Sequence, residues 1–493
     1  MAREDKPSAV WSDLDGKRSG RMKAWEEASA LTIASLLRGD RAEDETDYND
    51  AQSLGAQCVN HLTNKMMLAA FSPTRPSFRI EPSKKFSTQL KQSGQDISAA
   101  LSEIERGAIR ELDRQPIRPK LYATFRHLIT VGNCLLVDED ETLRVMSVKY
   151  YVLRRTIRGD IATLVTKERI RADELLLDVR NALVTPVNDD TLVDFYKWIR
   201  LLPDGKYEVS QWVNEENLGP AFTSTYTKDK LPFYPQAWNL ADESDWATGL
   251  VGEYINDFRT LSKVAVGLAD GTVLSMEFRM LVNPAGMTSV DDLNNSRNGQ
   301  AIAGTPDDVN STSPGNGQAV SVGLTVMQHW EQRISRAFLL ASAVTRNAER
   351  VTAEEIRATA QELEQALGGV YSSLAHTLQT PVAYWLLSRA GTDVQGTQLD
   401  VVVVTGLDAL SRMGDVDRIR QAFGVLAELS NAPPQLQQRM KFDPLVADIG
   451  AGMGVDLSKY VMTDAAYSQE LAAQGAARVA ESGATADATQ PAQ

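Results

Sequence analysis

The stretch Trp246–Leu281, WATGLVGEYINDFRTLSKVAVGLADGTVLSMEFRML, decides how the rest of the chain is read. Val251, Ile255, Phe258, Leu261, Ala265 and Leu268 recur at helical spacing and form one apolar stripe. A helix of that length rises ~50 Å. Gly267 and Gly271 each cost about 1 kcal/mol relative to alanine, so a kink or break is expected there. Asn283-Pro284-Ala285-Gly286 ends the helix, because proline cannot continue it and glycine supplies turn geometry. Residues 287–323 are rich in Asn, Gly, Ser, Thr and Pro and read as a long loop, which in a compact domain is usually functional or mobile. Met327, Trp330, Ile334, Phe338 and Leu339 restore helical period over Leu324–Ala343. The three pieces read as a helix going out, a loop-rich excursion and a helix coming back.

Upstream, residues 1–20 are polar and read as frayed. Trp25, Ala28, Leu31, Ile33 and Leu36 predict a helix over 22–37, and the acidic run Gly39–Asp50 reads as a solvated loop. Leu54, Cys58, Leu62, Met66 and Ala69 predict a helix over 51–70, stopped by Pro73 and Pro76. Ile97 to Leu112 and Leu121 to Leu128 show the same period. At Gly132 the pattern shortens to strands, so 132–235 reads as mixed and mostly β. Val193, Phe195 and Ile199 share one side of a strand, and Pro203-Asp204-Gly205 turns it into Tyr207–Val213. The aromatics there (Tyr150, Tyr151, Phe195, Trp198, Trp212) read as core rather than as a base-stacking platform.

Downstream, Ala343–Val351 is a short polar, basic break. A helix is expected from Thr352 to about Leu378, bent at Gly368-Gly369, interrupted at Pro381 and continued over Val382–Arg389. Leu399–Thr405 reads as one buried strand, Val416–Leu429 as a helix, and the tail from Ala472 to Gln493 as low-complexity.

The chain has 493 residues, 43% hydrophobic and 24% charged, which suits a globular protein with a real core. Its net charge is −14, whereas a protein gripping nucleic acid over a broad face is usually basic, so any contact with DNA is expected to be local or loose. No apolar run approaches the ~18 residues that span a bilayer, and MAREDKPSAVW lacks the apolar core of a secretory signal, so no membrane partner is expected. Cys58 and Cys134 are far apart without a CxxC partner, which fits a reducing compartment. His61, His127, His329 and His376 form neither HxH nor HExxH, and GxxxxGK[ST] and GxSxG are both missing. Glu354-Glu355 looks like acid chemistry, but Thr352-Ala353-Glu354-Glu355 is a capping box, with Thr352 as N-cap and Glu355 reaching back to its amide. The expectation is no catalytic residue, no metal, no cofactor and no enzyme.

One block carries more than periodicity. Arg346-Asn347-Ala348-Glu349-Arg350-Val351-Thr352-Ala353-Glu354-Glu355-Ile356-Arg357, continuing through Gln361-Glu362-Leu363-Glu364 and Leu367-Gly368-Gly369-Val370-Tyr371-Ser372, resembles the head-to-tail connector (portal) proteins of T7-like short-tailed bacteriophages. Collinear support comes from Leu62-Thr63-Asn64-Lys65-Met66-Met67-Leu68 with Phe71-Ser72-Pro73, from Val131-Gly132-Asn133-Cys134-Leu135-Leu136, from Leu281-Val282-Asn283-Pro284-Ala285-Gly286, and from Thr405-Gly406-Leu407-Asp408-Ala409-Leu410. The resemblance spans roughly residues 20–465.

The resemblance implies an α+β, mainly helical, elongated portal subunit that closes into a ring of 12 at one capsid vertex of a virion, with assembly in the host cytoplasm. Its expected parts are a wing over 1–245, a first stem helix over 246–286, a clip over 287–323 and a second stem helix over 324–342. A tunnel loop over 343–351, an inner wing with a C-terminal crown or barrel over 352–465, and a flexible tail over 466–493 complete it. The implied partners are double-stranded DNA in transit, the terminase large subunit, a tail adaptor protein, capsid and scaffolding proteins, and internal core or ejection proteins. Arg346, Asn347 and Arg350 become candidates for meeting DNA in the channel. Asn294, Arg297, Asn310 and Asn316 become candidates for docking partners at the clip. An acidic wall would let DNA slide, since each neutralised phosphate adds affinity and friction. One rival reading, a helical scaffold or adaptor of a virion without a DNA channel, fits the composition but leaves the ordered matches unexplained. The other, an enzyme using scattered carboxylates, has no motif behind it.

Overall fold

The computed structural model describes residues 6–37, 51–71, 77–83, 97–114, 116–139, 142–312, 317–340 and most of 362–403. The chain divides into two compact units, Met1–Val403 and Val404–Gln493, and the described elements belong to the first. The expected helix at 416–429, the tail, and most of the expected crown or barrel lie outside the described residues.

The first helix runs Pro7–Ala30, so the segment read as frayed is helical from Pro7 onward. Pro7 occupies the first turn, where a missing N–H costs nothing. The helix is held by the sheet it crosses. Leu14, with Val10 and Trp11, packs on Val152, Val165, Tyr196 and Trp198. Arg18 is buried and donates to the carbonyls of Val148 and Tyr151. These contacts are with residues more than a hundred positions away, so local periodicity could not announce them.

Helices Leu54–Ala70, Ser98–Arg114 and Ile117–Thr130 form the main core with residues from 363–394. Leu62, Met66, Leu121 and Leu128 are fully buried there. Between them, strand β1 (Phe78–Pro82) pairs antiparallel with a strand from the far end of the unit, Leu399–Val403.

The region expected to be mostly β contains β2 (Asn133–Glu139), β3 (Thr142–Met146), β4 (Tyr151–Arg155), β5 (Ile161–Arg171), β6 (Leu192–Leu201), β7 (Tyr207–Val213), β8 (Glu216–Asn217), β9 (Thr223–Tyr226) and β10 (Phe233–Ala237). One antiparallel sheet has the order β4-β5-β6-β7-β8, with β9 also on β7; another has the order β10-β2-β3. Side chains alternate across a strand, so each face has its own partner. Tyr196 and Trp198 meet the first helix, whereas Leu153, Leu164 and Ile199 meet Val137, Met146 and Phe233 of the second sheet. The hairpin at Pro203-Asp204-Gly205 joins β6 and β7 as its turn signature predicts, and Tyr151 and Trp198 are buried as core.

Two expectations about the later chain change. Pro381 does not interrupt its helix. The chain runs as α-helix over Gly369–Leu374, as a π turn over Ala375–Gln379, and as α-helix again over Thr380–Arg389. Proline removes the donor for the carbonyl four residues back, that of Thr377. Gln236 supplies the missing donor, its Nε2 lying 2.8 Å from that oxygen. The strand read as buried, β13 (Leu399–Val403), is mostly half-buried, because a two-stranded ribbon offers one covered face. Among the described residues no sheet closes into a barrel.

Candidate functional site

The outgoing helix is rooted by backbone close approach. Gly132 adopts φ +87, a region open to glycine, and a Cβ on it would lie 2.4 Å from the amide nitrogen of Gly249. Asn133 beside it donates to the Ala247 carbonyl at 2.8 Å and accepts from the Ala247 amide at 2.9 Å. Trp238 N–H donates to the Gly132 carbonyl at 2.9 Å. The segment Val131-Gly132-Asn133-Cys134 therefore fixes where the chain leaves the body.

From there one turn, Leu250–Glu253, precedes the outgoing helix Ile255–Met276. The break falls at Tyr254 rather than at Gly267 or Gly271, which lie inside an unbroken helix. Gly271 faces the returning helix Gly317–Ala337, where an added Cβ would sit 3.7 Å from Val320. That is an ordinary van der Waals distance, so the helix approach there would accept an alanine as well. The returning helix begins at Gly317, seven residues before the sequence suggests. Near the root the two helices close with apolar and ionic contacts. Phe258 and Phe338 meet edge to face at 5.6 Å, and Arg333 Nε lies 2.8 Å from the Asp257 carboxylate. Arg259 pairs with Glu27 of the first helix, which holds the Glu27 carboxyl below its usual range.

Beyond Ser262 the outgoing helix buries nothing, and the returning helix buries only Ile334. The far end is not one continuous loop. Strand β11 (Arg279–Val282) pairs with β12 (Val309–Thr312), and a short helix, Val290–Asn295, lies between. Asp308 ties this end together. Its carboxylate accepts from Met287 N–H at 2.9 Å and from the Thr288 hydroxyl at 3.2 Å, and its carbonyl accepts from Asn283 N–H at 2.9 Å. The Thr305 hydroxyl chiefly, with Met287 and Thr288, holds this carboxyl below its usual range. A Cβ on Gly286 would strike the Asp308 carboxylate. In the sequence Asp308 has one local signal, an Asp two residues after Thr305-Pro306, where aspartate organises turns.

Asn294 lies in the last turn of the short helix, Arg297 follows it, and Asn310 lies on β12 opposite Leu281; all three are exposed. They share the far end, where Arg297 exchanges hydrogen bonds with Gln300 and Asn310 lies in the β11–β12 pairing. Asn316, Arg346, Asn347, Arg350, Thr352 and Glu355 lie outside the described residues.

A residue the sequence reading gave no role marks the end of the returning helix. Leu339 has φ +57, a strained conformation for leucine. Lys65 of helix Leu54–Ala70 reaches its carbonyl at 3.1 Å and the Glu362 carboxylate at 2.7 Å. One half-buried cation thus joins residues 339 and 362. His61, one turn before it, is held below the usual histidine range by burial and then by Lys65.

Among the described residues no group of three His, Cys, Asp or Glu could hold a metal ion, and no helix is long and apolar enough to cross a membrane. Cys58 and Cys134 are free and buried, and burial pushes the Cys58 thiol up to about 12.

The sequence model of the family described as bacteriophage head to tail connecting protein matches residues 4–461. The chain belongs to that family. It is 28% identical over 479 residues to the portal protein of Enterobacteria phage SP6, covering 95% of this chain and 92% of the relative. It is 30% identical over 501 residues to the portal protein of Enterobacteria phage T3, covering 98% and 93%. With the portal protein of Pseudomonas phage phiKMV it shares 30% identity over 437 residues, covering 86% and 85%. Among solved structures, a chain from the neck of an empty GTA particle aligns over 82% of this chain and 91% of its own, with a TM-score of 0.40 and 10% identity, too slight a likeness to carry weight.

Proposed function

We propose that the chain is a portal subunit, one of twelve in a closed ring at a capsid vertex. Genomic DNA enters through the ring during packaging and leaves through it during ejection. In this reading the helices Ile255–Met276 and Gly317–Ala337 are the stem, and the far end around Asp308, with Asn294, Arg297, Asn310 and Asn316, is the clip. The clip receives the terminase large subunit first and a tail adaptor afterwards. Residues 1–245 form the wing, 343–351 the tunnel loop, with Arg346, Asn347 and Arg350 toward DNA, and 352–465 the inner wing and crown. Capsid and scaffolding proteins and internal core proteins are the remaining partners. The protein acts by geometry, without a catalytic site.

One observation carries this reading. Thirteen of the eighteen large apolar side chains exposed among the described residues lie between Val266 and Val326. Met276 is 74% exposed, Phe278 68% and Met287 82%. A projection this apolar on the outside of its helices and far end is unlike a monomer surface and matches one covered by neighbouring copies. A ring places each copy's pair between two others, through a heterologous contact that closes.

Native mass spectrometry of the purified protein tests the reading, with a mass near a dozen copies expected and a central hole in negative-stain images. A folded monomer at micromolar concentration would overturn it. Replacing Arg346 and Arg350 with alanine is expected to leave rings intact while lowering the DNA content of particles. Unchanged DNA content would remove those two residues from the channel.

A further inference from the structure

Outside the helix pair, exposed apolar side chains gather at the end of the six-stranded sheet, in residues 172–191 between β5 and β6. Three leucines in a row divide there. Leu175 is buried in a small core with Ala172, Val179, Val193, Val213 and Leu218, whereas Leu176 and Leu177 are 75% and 74% exposed. Val184, across the short helix Leu177–Ala182, is 85% exposed. A cleft of about 340 Å³ opens among Leu175, Leu177, Arg180, Leu183, Pro186 and Val187.

This surface is built rather than loose. Ala172 N–H donates to the Thr191 carbonyl at 2.9 Å, and Asp173 N–H to that of Asp189 at 3.2 Å. The Glu216 carboxylate accepts from the amides of Val184 and Thr185. The exposed side chains are therefore held out by a backbone fixed on both sides.

Charge decides what can cover it. Residues 171–190 contain five acids, Asp173, Glu174, Asp178, Asp189 and Asp190, against two arginines. Both arginines are engaged within the segment: Arg171 with Asp173 at 3.1 Å and Asp190 at 2.6 Å, and Arg180 with Asp189. The apolar patch therefore has an acidic rim. Nucleic acid and anionic lipid are repelled by such a rim, as is the same patch on a second copy.

We infer that this surface docks a segment of a different protein, one presenting leucine-like side chains flanked by lysine or arginine, such as a basic amphipathic helix. Its apolar face fills the cleft beside Leu176, Leu177 and Val184, and its cations meet the exposed Asp178. The inference stands independently of the portal reading, because it uses only this segment.

The test uses the full chain and two labelled synthetic helices of about 18 residues, sharing one leucine face and carrying lysines or glutamates on the other. Fluorescence anisotropy is expected to show binding of the lysine helix and none of the glutamate helix. Combining Leu176→Ser, Leu177→Ser and Val184→Ser should weaken it by about tenfold or more, the scale of one buried leucine. Asp178→Asn should weaken it and flatten its salt dependence, a second arm that holds even if the serine variant misfolds. Ile157→Ser, on the β4–β5 turn and 91% exposed, should change nothing. Equal affinity in the wild type and the serine variant would overturn the inference, as would equal binding of both helices. Loss of ring mass in the serine variant would also overturn it, by making the patch a contact between copies.

Discussion

Leu62 and Leu274 are both helical leucines, yet Leu62 is fully buried and Leu274 is 44% exposed. The first belongs to a body whose helices and sheets supply each other's partners within one chain. The second belongs to a helix pair whose outer half, among the described residues, is covered by little beyond the two helices themselves. Apolar composition is similar in both, so composition does not separate a core from an interface. What separates them is whether the chain folds back often enough to cover the residue. The body brings β1 and β13, more than three hundred residues apart, into one ribbon. Among the described residues, the outer half of the pair has its own two helices and, at its far end, a two-stranded ribbon that is marginal alone.

If the body closes its own core, damage there should unfold the single chain. Phe125→Ala, at a fully buried ring beside Phe71, is expected to cost about 3–5 kcal/mol, read as a lowered denaturation midpoint. A cost near zero would break the contrast from the body's side.

The same body should respond to acid. Burial holds His127 down to about 4, below its ordinary 6.5. The folded state keeps this ring neutral while the unfolded state takes up a proton between those values. Stability from this group is therefore full above pH 6.5 and lost as pH falls toward 4, by about 3 kcal/mol. Denaturant titrations of the wild type and His127→Gln across that window should diverge by this amount, and parallel curves would refute the assignment.

A smaller effect is expected where body and pair meet. Lys65→Met removes the donor to Leu339 and Glu362 and should cost about 1–3 kcal/mol. Hydrogen exchange should rise in the last turn of the returning helix and leave β5 and β6 unchanged. A uniform rise would mean that Lys65 supports the whole body.

The smallest effect on the single chain is expected at the far half of the pair. Val273→Ser, Met276→Ser and Phe278→Ser all replace exposed side chains, so the unfolding midpoint of dissociated protein should hardly move. The assembled mass should fall sharply. Intact rings from this variant would return the pair to the status of an ordinary surface.

How much of this was legible beforehand depended on whether the cause was local. The β6–β7 hairpin was legible because its turn residues and alternation lie in one short stretch. Helix Pro7–Ala30 was only half legible, since Leu14 and Arg18 are explained by strands beyond residue 148. Gly267 and Gly271 read locally as a break, yet the helix runs through both and the turn falls at Tyr254. The far end looked like loop by composition, while its order comes from Asp308 reaching back to residues 283–288.

The sequence by itself determined the helical periods, the turn chemistry, the acidic balance and, through ordered motifs, the family. Each is carried by residues near one another or by their mere count. Only the tertiary structure decided that Gln236 rescues the helix around Pro381, that Lys65 joins residues 339 and 362, and which apolar side chains find no cover. Those outcomes depend on contacts between residues distant along the chain, and no local pattern encodes which distant group arrives.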